Sequence, residues 1–220
     1  MTNQRLYHCM TNLGLVARLG LLGGLTLVMG CASTPTSKAP PLPSGVTLHR
    51  DKDIEGVWLA EGFDFKGYDA LYIAGTAFAA TERPNEAEMR TMAMRVLPEQ
   101  LAEHLGTTKL FATVTTRADD AKPGSKCLKM ENTIIEYEKG GGGARYFAGM
   151  FGGGQPVIKV QGQILDGDKL MCVYQVKRSG ESVGARLGGV FMSDEEIQRN
   201  DIRDLASDLS DFFKRTAKVQ

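Results

Sequence analysis

The chain has 220 residues, with 26 basic and 26 acidic side chains and so no formal net charge. Without a basic field, the composition excludes nucleic acid as a partner, and no run of like charges marks an interaction tail. The length suits one domain that removes roughly 70% of its unfolded surface from water.

The first thirty residues have the parts of an export signal. Their only charged residues are two arginines, and residues 19–29 are apolar or small, which is the length of a signal-peptide core. A transmembrane helix needs about 20 apolar residues, more than this run supplies. We therefore predict a cleaved signal peptide over residues 1–30. Its start is either Met1 or Met10, and the sequence leaves both open.

The sequence Leu-Val-Met-Gly-Cys at residues 27–31 resembles the lipobox of bacterial lipoproteins. The resemblance implies that the thiol of Cys31 receives a diacylglycerol, that cleavage follows Gly30, and that the freed amine takes a third acyl chain. Each buried methylene contributes about 0.8 kcal/mol, so three chains would anchor the protein firmly. Ala32 stands where an aspartate would retain a lipoprotein in the inner membrane, which implies an outer-membrane anchor facing the periplasm.

After the anchor comes a stretch rich in proline and small polar residues. Residues 31–45 include four prolines and predict an extended tether, at about 3 Å per residue where the chain is polyproline-like. The remaining residues, 46–220, are predicted to form a single domain.

The first half of that domain predicts a strand, a helix and a second strand. The first strand covers residues 69–74. The helix covers residues 85–106, begins at the capping residue Asn85 and is expected to kink at Pro98. The second strand covers residues 110–115. A strand, a helix and a strand at this spacing favour a right-handed parallel crossover.

The second half predicts three strands and a long helix. The strands alternate apolar and polar residues over three ranges: 128–138, 156–165 and 170–177. The turn at residues 166–168 joins the last two as a hairpin. The helix covers residues 194–218, and Ser193 with Glu196 forms a capping box at its start. The prediction is an α+β fold, a mixed, mainly antiparallel sheet with two main helices packed on one face.

Two cysteines fall within the domain. The periplasm is oxidising enough to join Cys127 and Cys172. However, Cys172 shares strand parity with the apolar Tyr174, whereas Cys127 shares it with Lys129. A bridge between opposite faces of one sheet has poor geometry, so parity favours two free thiols over a disulfide.

A glycine-rich segment joins two of the predicted strands. Residues 140–154 contain eight glycines in fifteen positions, and they match neither phosphate-binding glycine pattern. One interpretation is a long loop without further function. The other is a contact surface for a partner, formed by five candidate residues: Arg145, Tyr146, Phe147, Gly149 and Phe151. Residues 184–191 echo the Gly-Ala-Arg pattern, and the two segments either lie side by side or resemble each other by chance.

Two stretches of the domain resemble a known family. Residues 68–73 read Tyr-Asp-x-Leu-Tyr-Ile, and residues 143–154 read Gly-Ala-Arg-Tyr-Phe-x-Gly-x-x-Gly-x-Gly. Together with the alternating strands that follow, they are similar to an uncharacterised family of Gram-negative envelope lipoproteins, known as a domain of unknown function. The resemblance implies a fold and a location, and no reaction.

The sequence offers little for catalysis or metal binding. His49 and His104 have no partner at zinc-binding spacing, and Cys-x-x-Cys does not occur. Glu136 and Glu138 share one face of a strand and are interpreted as solvated carboxylates. The polar face of the last helix is assigned four aspartates: Asp201, Asp204, Asp208 and Asp211. We therefore predict no catalytic residue, no cofactor and no metal site.

These observations predict a lipid-anchored envelope lipoprotein that acts as a non-enzymatic binding or assembly module. Its partners would be the membrane, through the lipid on Cys31, and an envelope protein. One alternative is a domain that binds or hydrolyses cell-wall material or a small ligand, which predicts a deep pocket with converging polar groups. Another is a subunit of an oligomeric outer-membrane assembly.

Overall fold

The computed structural model describes residues 40–81, 83–120, 124–140, 156–180 and 193–219. The chain divides into two units, residues 1–34 and residues 35–220, and every described residue belongs to the second. The lipidation residue and the candidate contact residues lie outside the described ranges: Cys31, Arg145, Tyr146, Phe147, Gly149 and Phe151.

In the described residues, six strands and two α-helices follow one another: β1 (Gly56–Leu59), β2 (Ala70–Phe78), α1 (Ala87–Thr107), β3 (Thr113–Thr115), β4 (Cys127–Glu138), β5 (Val157–Asp166), β6 (Lys169–Ser179) and α2 (Asp194–Val219). The strands form one sheet in the order β1-β6-β5-β4-β2-β3. Strand β2 is parallel to β3 and β4, and the other neighbours are antiparallel. The prediction of an α+β fold with a mixed, mainly antiparallel sheet is confirmed.

The predicted parallel crossover is present, with local differences. Helix α1 connects β2 to β3, and the two strands pair in parallel. Asn85 does not cap α1, because it lies in a 3-10 turn that begins at Pro84. Glu86 is the N-cap residue of α1, and its side chain makes no capping hydrogen bond. Pro98 lies inside α1 and does not end it. Neither described helix is both long enough and apolar enough to cross a membrane.

The predicted start of the last helix is confirmed in detail. The Ser193 backbone N–H donates to Glu196 Oε2 at 2.9 Å, and the Glu196 backbone N–H donates to Ser193 Oγ at 3.2 Å. This reciprocal pair satisfies backbone donors that a helix start leaves unpaired. The pKa of Glu196 is lowered because its carboxylate accepts hydrogen bonds from the backbone N–H and from the hydroxyl of Ser193.

The sheet has two different faces. We call the face that joins the hydrophobic core the inner face; its buried residues include Leu128, Met130, Ile134, Ile158, Val160, Ile164 and Cys172. One hydrophobic cluster connects them with buried residues of both helices: Ala93, Leu97, Leu101, Leu205, Leu209 and Phe213. The alternating residues form the outer face, which includes Lys129, Glu131, Gln161, Gln163 and Gln175.

A glycine on the inner face makes room for a tyrosine. Asn132, Gly162 and Tyr174 lie side by side on β4, β5 and β6. A Cβ atom on Gly162 would stand 2.1 Å from Cζ of Tyr174, so the tyrosine ring occupies the space that a side chain would need. The Tyr174 hydroxyl donates to Oδ1 of Asn132. Both residues of this polar contact are buried.

The two domain cysteines lie on opposite faces. Strand register places Cys172 level with Ile164 and Met130 on the inner face, whereas Cys127 is three residues from Met130 along β4. Cys172 is buried, Cys127 is half-buried, and both thiols are free. The parity argument against a disulfide is confirmed.

The segment that precedes β1 lies against the outer face of the sheet. Gln161 Nε2 donates to the backbone carbonyl of Pro40 at 3.2 Å, and His49 pairs with Val57 of β1 as an isolated bridge. Residues 40–48 therefore pass across the outer face, from the middle of the sheet to its β1 edge. Part of the predicted tether, residues 40–45, lies in this crossing segment.

Candidate functional site

Two glycine-rich segments are anchored at one end of the sheet. Glu138 at the end of β4 pairs with Val157 at the start of β5, and Val157 pairs with Ser179 at the end of β6. Neighbouring strands are about 4.8 Å apart. The segment with the candidate contact residues and the segment with its sequence echo therefore leave from adjacent strands.

Buried polar groups lie directly below these anchor points on the inner face. Tyr137, Ile158 and Arg178 form one row across β4, β5 and β6. Tyr137 is only 3% exposed, and its hydroxyl has no hydrogen-bond partner among the described residues. Burial, reinforced by the carboxylate of Glu86, raises the pKa of Tyr137 well above its ordinary value. The tyrosine therefore stays a neutral donor at physiological pH.

Arg178 connects the sheet to the last helix. Its guanidinium pairs with the carboxylate of Asp208 on α2, while Nε is buried without a partner in the described part of the chain. Burial raises the pKa of Asp208, and Arg178 partly opposes this.

Helix α2 contributes two more buried polar side chains. Asp201 is 1% exposed and accepts a hydrogen bond from the backbone N–H of Gly180 at 3.2 Å. Burial raises the pKa of Asp201 to about 7, with the Gly180 bond opposing the shift, Asp204 adding to it and Arg178 opposing it. Gln198 is fully buried, and neither amide atom has a partner within the described ranges. We call Tyr137, Arg178, Gln198, Asp201 and Asp208 the loop-end cluster.

The loop-end cluster departs from the usual rule that buried polar atoms are paired. Each unpaired buried group costs on the order of 1–3 kcal/mol. The Tyr137 hydroxyl and Arg178 Nε are potential donors, and the Gln198 amide is both a potential donor and a potential acceptor. Thr76 Oγ1 and Asn132 Nδ2 are also buried without a partner in the described residues. The loop-end cluster differs from them because it lies beside the strand ends where both glycine-rich segments begin, and we take this end of the sheet as the candidate functional site.

Ion pairs and a hydrogen bond hold the C-terminal end of β4, at the same end of the sheet. Arg83 pairs with Glu138 at 3.0 Å. The buried carboxylate of Glu86 accepts the backbone N–H of Lys139 at 3.0 Å, and Lys139 Nζ lies 3.8 Å from Asp194 of α2. The chain is thus held at Lys139, where the glycine-rich segment begins.

The site offers hydrogen-bond donors and acceptors. In the described part of the chain, we find no metal-binding arrangement of three or more His, Cys, Asp or Glu side chains. The loop-end cluster offers hydrogen-bond donors at Tyr137, Arg178 and Gln198 and carboxylate acceptors at Asp201 and Asp208.

A depression lies at the opposite end of the sheet. Its volume is about 640 Å³, and its lining residues are Gly62, Phe63, Asp64, Gly67, Tyr68, Ser125, Lys126, Cys127, Asp166 and Met171. The Tyr68 hydroxyl donates to Asp166 at 2.8 Å. Burial and this bond raise the pKa of Tyr68 to about 12, and burial also raises the pKa of the Cys127 thiol. Neither group would be ionised near neutral pH.

The sequence assigned the wrong environment to one aspartate. Asp201 was expected on the polar face of the last helix, but it is buried. It occupies the second position of a four-residue series, Ile197, Asp201, Leu205 and Leu209, whose apolar members are all buried. This spacing is the sequence signal that predicts burial at position 201. Glu136 and Glu138 are half-exposed and ion-paired, with Lys177 and Arg83 respectively.

Comparisons with known proteins give only distant structural matches. No family model and no curated protein matches the chain. The PelC dodecamer from Paraburkholderia phytofirmans is 13% identical with a TM-score of 0.42, over 70% of this chain and 94% of that one. XCC0632 from Xanthomonas campestris, of family model DUF330, is 12% identical with a TM-score of 0.38, over 73% of this chain and 91% of that one. CT253 from Chlamydia trachomatis is 11% identical with a TM-score of 0.39, over 69% and 99%. At these values the matches assign neither a family nor a function.

Proposed function

We propose that this chain is a lipid-anchored envelope lipoprotein whose domain binds or assembles with another envelope protein and performs no catalysis. The lipid on Cys31 would hold it at the outer membrane, facing the periplasm. The glycine-rich segment with Arg145, Tyr146, Phe147, Gly149 and Phe151 would make the contact. The observation that carries this proposal is the anchoring of both glycine-rich segments on adjacent strands above the loop-end cluster.

The rest of the fold supplies a rigid base for that contact. We propose that both helices form one layer on the inner face, because residues of α1 and α2 share a hydrophobic cluster with inner-face strand residues. Phe213 of α2 also stacks on Phe65, with ring centroids 4.3 Å apart. A contact segment fixed at both ends on such a base loses less conformational entropy when it binds.

The contact residues have a chemistry that suits a protein partner. Aromatic side chains and arginine dominate the energetics of protein interfaces, and glycines between them let a partner backbone approach closely. These features favour binding over hydrolysis.

Crosslinking from Phe147 tests the proposed contact. With a photoreactive residue in place of Phe147, we expect a discrete adduct in living cells that weakens when Arg145→Ala is added. The matched control places the same residue at Glu103, which is exposed on α1, and should give no such adduct. No adduct from Phe147, or equal adducts from both positions, would contradict the proposal. An adduct at twice the chain mass would identify the partner as a second copy and favour the oligomeric alternative.

The depression around Tyr68 is the one observation that favours a second function. Its volume lies within the range of small-molecule pockets. The raised pKa values of Tyr68 and Cys127 make nucleophilic catalysis there unfavourable. This alternative is therefore a ligand-binding function rather than a hydrolytic one.

A further inference from the structure

One arginine of the sheet lies beside two aspartates of the last helix. Arg178 is near the end of β6, and its guanidinium pairs with Asp208 of α2. Two residues further along, the backbone N–H of Gly180 donates to Oδ2 of Asp201, also on α2, at 3.2 Å. Asp201 and Asp208 are seven residues apart, which is two turns of helix, so they share one helix face. The end of β6 therefore offers one cation to two carboxylates.

Arg178 is close enough to interact with both carboxylates. Residues 178 and 180 are about 7 Å apart along the strand and point to the same side, and the N–H of Gly180 contacts Asp201 directly. Burial raises the pKa of Asp201 and that of Asp208, and the positive charge of Arg178 opposes the rise in each. Nε of Arg178 is buried without a partner among the described residues. The arginine therefore has a donor left for a second carboxylate.

The two aspartates differ in how well water stabilises their charge. Asp201 is 1% exposed, whereas the side chain of Asp208 is 21% exposed. An unpaired charge costs more the more completely it is buried, and its attraction to a cation is stronger in less polar surroundings. A protonated Asp201 needs no cation, so Arg178 pairs with Asp208. An ionised Asp201 gains more from Arg178 than Asp208 does, because water can solvate Asp208.

The other charged groups at this end do not replace Arg178. Asp204, on the same helix, adds to the rise that burial causes in the pKa of Asp201. From β4, Tyr137 faces this end as a neutral group, because burial and the carboxylate of Glu86 raise its pKa. Three cations near the start of α2 already pair with acids: Lys139 with Asp194, Arg199 with Glu195, and Arg203 with Asp204. Arg178 is therefore the cation that the described residues offer to Asp201.

We propose that Arg178 is a pH-dependent switch between β6 and α2, which pairs with Asp208 while Asp201 is protonated and moves to Asp201 when Asp201 loses its proton. One ion pair breaks and another forms, so the strand stays joined to the helix in both states. The carboxylate of Asp208 is released toward solvent in the second state, which changes the charge that the candidate functional site presents. The switch belongs to the fold and requires neither the lipid on Cys31 nor a partner.

Nuclear magnetic resonance of the arginine side chain tests the switch. The isotope-labelled full-length protein is purified in a mild detergent, and the Nε–H signal of Arg178 is identified by its loss in Arg178→Lys. Because burial raises the pKa of Asp201 to about 7, we expect this signal to shift between about pH 5 and about pH 8, together with the carboxyl carbon of Asp201. In Asp201→Asn, the signal should be the same at both pH values. Asp208→Asn should lower the pKa of Asp201 to about 6, because Arg178 can then pair with Asp201 throughout.

Glu181→Gln is the matched control, because Glu181 is the acid that follows Gly180 in the chain. This variant should leave the midpoint of the Arg178 shift unchanged. An Arg178 signal that stays fixed while Asp201 titrates would overturn the switch, and so would an Asp201 that is still protonated at about pH 8. A shift that persists in Asp201→Asn, or that disappears in Glu181→Gln, would assign the titration to another group and overturn it as well.

Discussion

Replacing Gly162 with alanine is expected to lower the stability of the domain by about 3 kcal/mol, because it overfills a fully packed site. The new Cβ would lie 2.1 Å from the Tyr174 ring and 2.3 Å from its hydroxyl. Tyr174 is fully buried, so the ring has no open space to move into. Any shift would also break the bond to Asn132 and leave its buried Oδ1 without this donor. Thermal unfolding should therefore move down by roughly 10 °C.

Gly75→Ala is the matched control for that substitution. Gly75 also lies in a strand, but a Cβ there would meet no atom within 4 Å. Alanine at an unstrained position loses less entropy on folding than glycine does. The control should keep or slightly raise the free energy of unfolding. Equal effects of the two variants would show that Tyr174 does not occupy the space above Gly162.

Asp201→Asn is expected to stabilise the domain at alkaline pH and to do so much less at acid pH. In the folded state, burial raises the pKa of Asp201 from an ordinary value of 3.8 to about 7. The folded protein therefore binds this proton more tightly than the unfolded chain, and stability falls as pH rises from about 4 to about 7. Asparagine keeps an acceptor for the Gly180 N–H and removes the charge. The variant's advantage should be about 2 kcal/mol larger near pH 8 than near pH 5.

Urea unfolding of both proteins across this range measures the effect. Asp211→Asn is the control, because Asp211 lies on the same helix with its side chain 63% exposed. The free energy of unfolding of the Asp211→Asn variant should vary with pH in the same way as that of the original protein. If the free energy of unfolding of Asp201→Asn also follows that of the original protein across this pH range, Asp201 does not titrate in the buried environment assigned to it.

Much of the fold was predictable because apolar and polar residues alternate along β5 and most of β4. In β5, Ile158, Val160 and Ile164 are buried as their parity requires. The capping box of Ser193 and Glu196 was equally readable, because it depends on residues three positions apart. Such local patterns need no knowledge of distant contacts.

The loop-end cluster was not predictable, because it depends on distant pairing. A register shift between Ile134 and Glu136 changes the parity of β4, so that Tyr137 rather than Glu136 faces inward. Bulges of this kind depend on the partner strand and leave no clear mark in the sequence. Strand β1 was also missed, since four residues give too short a pattern to recognise. The burial of Asp201 was predictable from its spacing to buried apolar residues of α2, but its charge favoured a solvent-exposed assignment.

The mass of the mature protein isolated from membranes tests the central claim most directly. The account predicts loss of residues 1–30 and added acyl mass on Cys31, which disappears in the Cys31→Ser variant. A purified protein that retains its first thirty residues and carries no added acyl mass would contradict it.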